Sequence, residues 1–145
     1  MKEDTVIREF YEFEFVEEAL MRRGVIGHKL LKYAKKLVPI SEDIKVYSKN
    51  LYTNEAGVKK ELYFFNIDKI YILKEVNAGI NYRILYKKDI NNIEYKISDN
   101  DEKIVILKIK FSNGEMVEMN SVSDRGGESL EIYRDIIQHI LQSLI

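Results

Sequence analysis

The sequence predicts an α+β fold: an N-terminal helical hairpin, then a strongly bent antiparallel sheet or partial barrel of six or seven strands, capped by a C-terminal amphipathic helix. Three observations carry this expectation. Apolar spacing is helical up to about residue 38 and alternates from about residue 44 to 121. Clusters of Asn, Asp, Ser and Gly recur at intervals too short for helical crossovers, so successive strands must pair antiparallel. The chain then closes on an apolar stripe of helical period.

Residues 5–23 carry two periods. Val6, Phe10, Phe13, Val16 and Leu20 make a helical stripe, while Tyr11-Glu12-Phe13-Glu14-Phe15 alternates as a strand does. Helix is the preferred reading. In the next segment Leu30, Ala34, Leu37 and Val38 share one helical face and Lys29, Lys32, Lys35 and Lys36 the other. Pro39 stops that helix, and Gly24 and Gly27 are natural turn residues between the two.

Strands are expected over 44–53, 60–66, 69–76, 81–87, 92–98, 103–111 and 115–121, seven candidates that reduce to six if two merge. One hairpin can be argued to its register. A two-residue Asn113-Gly114 loop would place Ile109 opposite Glu118, with a charge on the apolar face of Val105, Leu107, Ile109 and Phe111. A three-residue Ser112-Asn113-Gly114 loop with Gly114 left-handed instead sets Ile109 opposite Val117, Leu107 opposite Met119 and Lys108 opposite Glu118. The three-residue loop is the expectation. The final helix runs from about residue 128, with Leu130, Tyr133, Ile137, Ile140, Leu141 and Leu144 as its apolar stripe. Its natural partner is the sheet, which needs one covered face.

At this length a single domain spanning 1–145 is expected, residues 1–40 being a helical extension and 44–145 the sheet with its helix. An apolar fraction of 46% is enough to bury the roughly 70% of surface that such a chain hides on folding. The absence of cysteine excludes disulfides, thiolate nucleophiles and thiolate metal sites, and fits a cytoplasmic location. Met1-Lys2-Glu3-Asp4-Thr5 lacks the order of a signal peptide, and no run reaches the length of a membrane span. A formal net charge of -1 offers no global attraction for nucleic acid or an anionic membrane, so any such binding would rest on local patches.

The order of elements from residue 69 onward resembles the bacterial pleckstrin-homology-like (PH-like) domains. Lys69-Ile70-Tyr71-Ile72-Leu73 is similar to the strand before that family's central segment. Arg83-Ile84-Leu85-Tyr86-Lys87-Lys88-Asp89-Ile90-Asn91-Asn92-Ile93-Glu94-Tyr95 resembles its strand, short turn, Ile, strand pattern. Lys108-Ile109-Lys110-Phe111-Ser112-Asn113-Gly114-Glu115 resembles the hairpin before the last helix. The resemblance implies a bent sheet plugged by one helix, serving as a binding or scaffolding module. Two departures stand out: the first 40 residues have no counterpart in a minimal member, and the first-hairpin loop offers only Lys59 and Lys60 where phosphoinositide-binding members are strongly basic.

No catalytic constellation is legible. The two histidines, His28 and His139, are far apart in sequence, with His139 opposite the apolar stripe of its helix. Asp99-Asn100-Asp101-Glu102 lacks the later ligands of a calcium loop and reads as a hairpin turn. Glu9, Glu12, Glu14, Glu17 and Glu18 read as a solvated face. Asp124-Arg125-Gly126-Gly127 before the final helix is a candidate anion site through Arg125 and glycine amides, beside its plainer reading as a connecting loop. The segment Arg22 to Lys36 holds six basic residues and no acid, and Gly24-Val25-Ile26-Gly27 is similar to the backbone-clamping loop of KH domains, though its middle residues are apolar.

Arg22, Arg23, Lys29, Lys32, Lys36 and Arg125 are therefore the candidate binding residues. The expectation is a non-enzymatic interaction or regulatory module that takes another protein as partner and needs no cofactor or metal. Nucleic-acid binding through the basic segment is the alternative. Aromatic residues at alternating strand positions, such as Tyr63, Phe65, Tyr71, Tyr82, Tyr86 and Tyr95, would supply a protein-binding surface if several of them lie on a face that the C-terminal helix leaves open.

Overall fold

The computed structural model describes residues 12–22, 29–41, 43–53 and 55–145. Among these residues, three helices and two antiparallel sheets, of four and three strands, make up an α+β fold.

The first described helix, α1 (Phe13–Arg22), buries Phe13, Val16, Ala19 and Leu20. Val6, Phe10 and the Gly24–Gly27 turn lie outside the described residues. The competing strand period survives in one place: Glu12 bridges antiparallel to Lys45 immediately before the helix begins. Helix α2 (Lys29–Leu37) buries Leu30 and Ala34 and ends as expected before Pro39. Two lysines in its last turn, Lys35 and Lys36, complement the negative end of the helix dipole.

Strands β1 (Lys45–Lys49), β2 (Glu61–Phe65), β3 (Lys69–Val76) and β4 (Gly79–Tyr86) form a meander in sequence order. Directly paired residues share a face, so the register assigns sides. Val46, Phe64, Tyr71 and Ile84 lie on one face; Tyr47, Tyr63, Ile72 and Arg83 lie on the other. The N-terminal helices cover the first face: the Phe13 and Phe64 rings are 5.7 Å apart, and the Tyr82 hydroxyl donates to the Leu37 carbonyl. That double coverage explains β2, where Leu62, Tyr63, Phe64 and Phe65 are all buried. β1 is shorter than its expected span of 44–53. Asn50 adopts a left-handed conformation (φ 59°) and turns the chain, its N–H donating to the Asp124 carbonyl rather than to a strand.

A 3-10 turn, Lys87–Asp89, leads into the second sheet of β5 (Ile90–Ile97), β6 (Val105–Phe111) and β7 (Met116–Asn120). The expected meander is thus divided into two sheets and does not close as a barrel. A register shift between Ile90 and Asn92 bulges the start of β5. The β6–β7 hairpin has the three-residue loop, with Gly114 at φ 89°, Ile109 opposite Val117, Leu107 opposite Met119 and Lys108 opposite Glu118. Val105, Leu107, Ile109 and Phe111 are buried while the residues between them are half-exposed.

The closing helix α3 (Leu130–Ser143) begins at Ser129, whose side chain accepts from the Ile132 N–H. It buries Tyr133, Ile136, Ile137 and Ile140 and packs against β6. Tyr133 also reaches β1, its hydroxyl donating to the Ser48 carbonyl at 2.9 Å, so α3 joins the two sheets. Among the described residues no helix is long and apolar enough to cross a membrane.

Candidate functional site

Polar side chains are buried together where β1 meets the loop between β7 and α3. Asp124 is 5% exposed. Its carboxylate accepts from the Tyr47 hydroxyl at 2.6 Å and from the Asn120 N–H at 2.8 Å, with the Lys49 ammonium 3.9 Å away. Lys49 also donates to the Glu118 carbonyl and lies over the Tyr63 ring, while Tyr63 donates to Glu61. The Tyr47 ring meets those of Tyr63 and Tyr133 at 6.1 and 5.8 Å.

Burial, reinforced by the Asp124 charge, holds the Tyr47 phenol well above its usual range, so it remains a neutral donor. Burial likewise raises Asp124, against the opposing pull of Lys49 and its hydrogen bonds. The Tyr47 hydroxyl and the Asp124 carboxylate thus pin the loop before α3 onto β1. Gly126, in the same loop, shows how close that approach is: a Cβ there would lie 2.9 Å from the Asn50 Cα.

The exposed chemistry lies on the outer face of the four-stranded sheet. Lys35 of α2 pairs with Glu17 of α1, so the opposite flank of α2, carrying Tyr33 and Leu37, turns towards β4. There Leu37, Ile84 and Tyr86 remain 45, 41 and 43% exposed, continuous with the partly buried Tyr82. Ammonium groups border this strip at both ends. Lys32 and Lys36 approach the Tyr33 ring at 6.0 and 5.7 Å, and Lys69 and Lys88 each approach the Tyr86 ring at 5.8 Å.

The candidate residues divide accordingly. Lys29, Lys32 and Lys36 share the exposed face of α2 and make no ion pair within the described residues. Arg22 is exposed at the end of α1, and Arg23 lies outside the described residues, as do His28 and the Gly24–Gly27 loop. Arg125 is on a different element altogether, donating to the Glu128 carbonyl at 3.2 Å within the loop that precedes α3. With the first turn of that helix capped by Ser129, the segment has the form of a connecting loop. Of the two lysines in the first hairpin, Lys60 is buried and donates to the Leu51 carbonyl; burial lowers its pKa.

His139 is exposed on α3, and the Asp99–Glu102 segment is the turn of the β5–β6 hairpin. No group of three or more acidic or histidine side chains able to hold a metal ion occurs among the described residues. Two open hollows, of about 410 and 440 Å³, are lined by Lys96, Ser98 and Ile106 and by Lys87, Ile90 and Leu144 respectively.

Sequence reasoning placed Asp124 only in a candidate anion loop, not on Tyr47, and named Tyr82 and Tyr86 without locating the strip they form with Leu37 and Ile84. Asp124 sits in a run of turn formers, and only the distant pairing of Tyr47 reveals its role. The strip was visible as tyrosines on alternate residues, but which of them α2 covers depends on packing.

No curated protein and no solved structure matches the chain. A family model does match, over residues 10–134, most of the chain, and its description is "Protein of unknown function (DUF3908)". The chain belongs to the DUF3908 family.

Proposed function

We propose that this chain is a non-enzymatic, PH-like interaction module that docks an acidic, partly apolar segment of another protein on the outer face of β4. The observation that carries the reading is the exposed Leu37, Ile84 and Tyr86 strip with lysines at both ends. Such a surface matches the anatomy of protein interfaces, with an apolar and aromatic centre and a charged rim. The cations argue for an acidic partner. The PH-like assignment draws support from the order of four strands, three strands and a closing helix, and the lack of cysteine supports a cytoplasmic setting. The buried hydroxyls and carboxylate of the β1 corner, engaged with one another, favour a structural over a catalytic role.

The test is co-purification from cells that express the tagged chain, comparing wild type with Ile84→Asp and with Lys69→Glu/Lys88→Glu. A specific protein retained by wild type and lost from both variants is the expected result. Retention unchanged by either variant, or a robust turnover by the purified chain, would reject the reading.

A second reading, nucleic-acid binding, is favoured by the placement of Lys29, Lys32 and Lys36 on one exposed helical face beside Tyr33. It requires an affinity for a single-stranded oligonucleotide that falls steeply with salt and drops in Lys29→Glu/Lys32→Glu/Lys36→Glu. Affinity indifferent to those three changes would dismiss it.

A further inference from the structure

The two outer strands of the three-stranded sheet are treated differently. β7 is sealed: Lys49 from β1 donates to the Glu118 carbonyl, and the Asp124 carboxylate accepts the Asn120 N–H. β5, eight residues long, pairs with β6 alone among the described residues. Such an edge presents backbone donors and acceptors at the repeat that another strand satisfies.

The hydrogen-bond phase shows which residues present them. The Ser98 N–H donates to the Ile104 carbonyl, in line with the β5–β6 register. Bonding towards β6 therefore falls to Ser98, Lys96 and Glu94, and the backbone groups of Ile97, Tyr95 and Ile93 turn to the open edge. Their side chains are incompletely covered as well, with Ile97 52% exposed and Ile93 and Tyr95 partly buried.

We propose that β5 pairs antiparallel with β5 of a second copy of this chain, joining two three-stranded sheets into one of six. The register follows from charge. With Tyr95 on the two-fold axis, Ile93 meets Ile97, Glu94 meets Lys96 and Asn92 meets Ser98, each contact occurring twice. The phase allows only registers in which Ile93, Tyr95 and Ile97 bond to one another. The next one on either side sets Glu94 against Glu94 or Lys96 against Lys96, and like charges directly opposite are unfavourable. The strand thus complements itself in one alignment, as an isologous contact demands. This surface is separate from the proposed docking face and does not depend on it.

The test uses sedimentation equilibrium of the full chain from about 1 µM to about 1 mM, the range over which a weak edge pairing is populated. The expected result is reversible conversion from the 17.1 kDa monomer to a species of twice that mass. Glu94→Lys and Lys96→Glu should each weaken self-association about tenfold or more, since each turns both attractive contacts repulsive. Glu94 also lies 3.5 Å from Lys110 in its own chain, so thermal melts accompany each variant.

Mixing the two variants is decisive. One chain then carries positive charge at both positions and the other negative charge at both, so every contact across the axis is attractive again. A mixed dimer should form at least as tightly as the wild-type one. A wild type monomeric throughout, a dimer unaffected by either substitution, or weakened variants that mixing fails to restore would each overturn the proposal.

Discussion

Asp124 lies in a loop, yet its carboxylate reaches Tyr47 on β1 and the backbone of Asn120, holding the segment before α3 against the first sheet. Removing it strands a buried hydroxyl and a backbone N–H, each costing about 1–3 kcal/mol when left unsatisfied. Asp124→Ala should therefore lower unfolding stability by about 3 kcal/mol in urea titrations, and an unchanged midpoint would show that the corner is solvated.

The same residue gives a pH signature. Burial raises its folded pKa above the unfolded value of about 3.9, so between those two values the folded state binds more protons. The stability contributed by this group thus falls as pH rises through that window. The margin of wild type over Asp124→Asn should be larger at about pH 4 than at about pH 7. A margin that shrinks on acidification would reverse the assignment. Nothing local in Ser-Asp-Arg-Gly-Gly reveals such a role: in sequence it is turn chemistry, and its partner lies 77 positions away.

At the scale of elements, the legible parts were those whose signal is local. The β6–β7 hairpin was fixed because a one-residue slip would have buried Glu118, so register and loop length followed from one charge. The end of α2 followed from Pro39. Two details escaped. Ile136 is buried although it falls outside the narrow stripe inferred for the last helix, because α3 touches both sheets and so buries a wider arc. β1 ended early because Asn50 turns left-handed to meet the Asp124 loop, a tertiary event.

Two substitutions measure the closing helix. Ser129→Ala removes its N-cap and should cost about 1 kcal/mol. Ile137→Ala, at a fully buried position, should cost about 2–5 kcal/mol. If the second cost no more than the first, α3 would not be the plug that its burial implies.

Across the whole molecule, the helical hairpin and the three-stranded sheet lie on opposite faces of the four-stranded sheet, and each leaves something open. The hairpin leaves the outer face of β4 beside a row of lysines; the second sheet leaves the edge of β5. The α+β class and the antiparallel order were readable because strands joined by turns have no alternative. The division into two sheets and the location of the uncovered strip were not, since both depend on how layers stack.

The docking face is central to this account, and site-specific crosslinking tests it most directly. A photoreactive phenylalanine at position 86, compared in living cells with one at position 118 on the outer side of β7, should capture a discrete protein from position 86 alone. Lys69→Glu/Lys88→Glu should abolish that capture while leaving the thermal midpoint within the range of ordinary surface changes. The same crosslinks from both positions, or capture that survives the charge reversal, would contradict it.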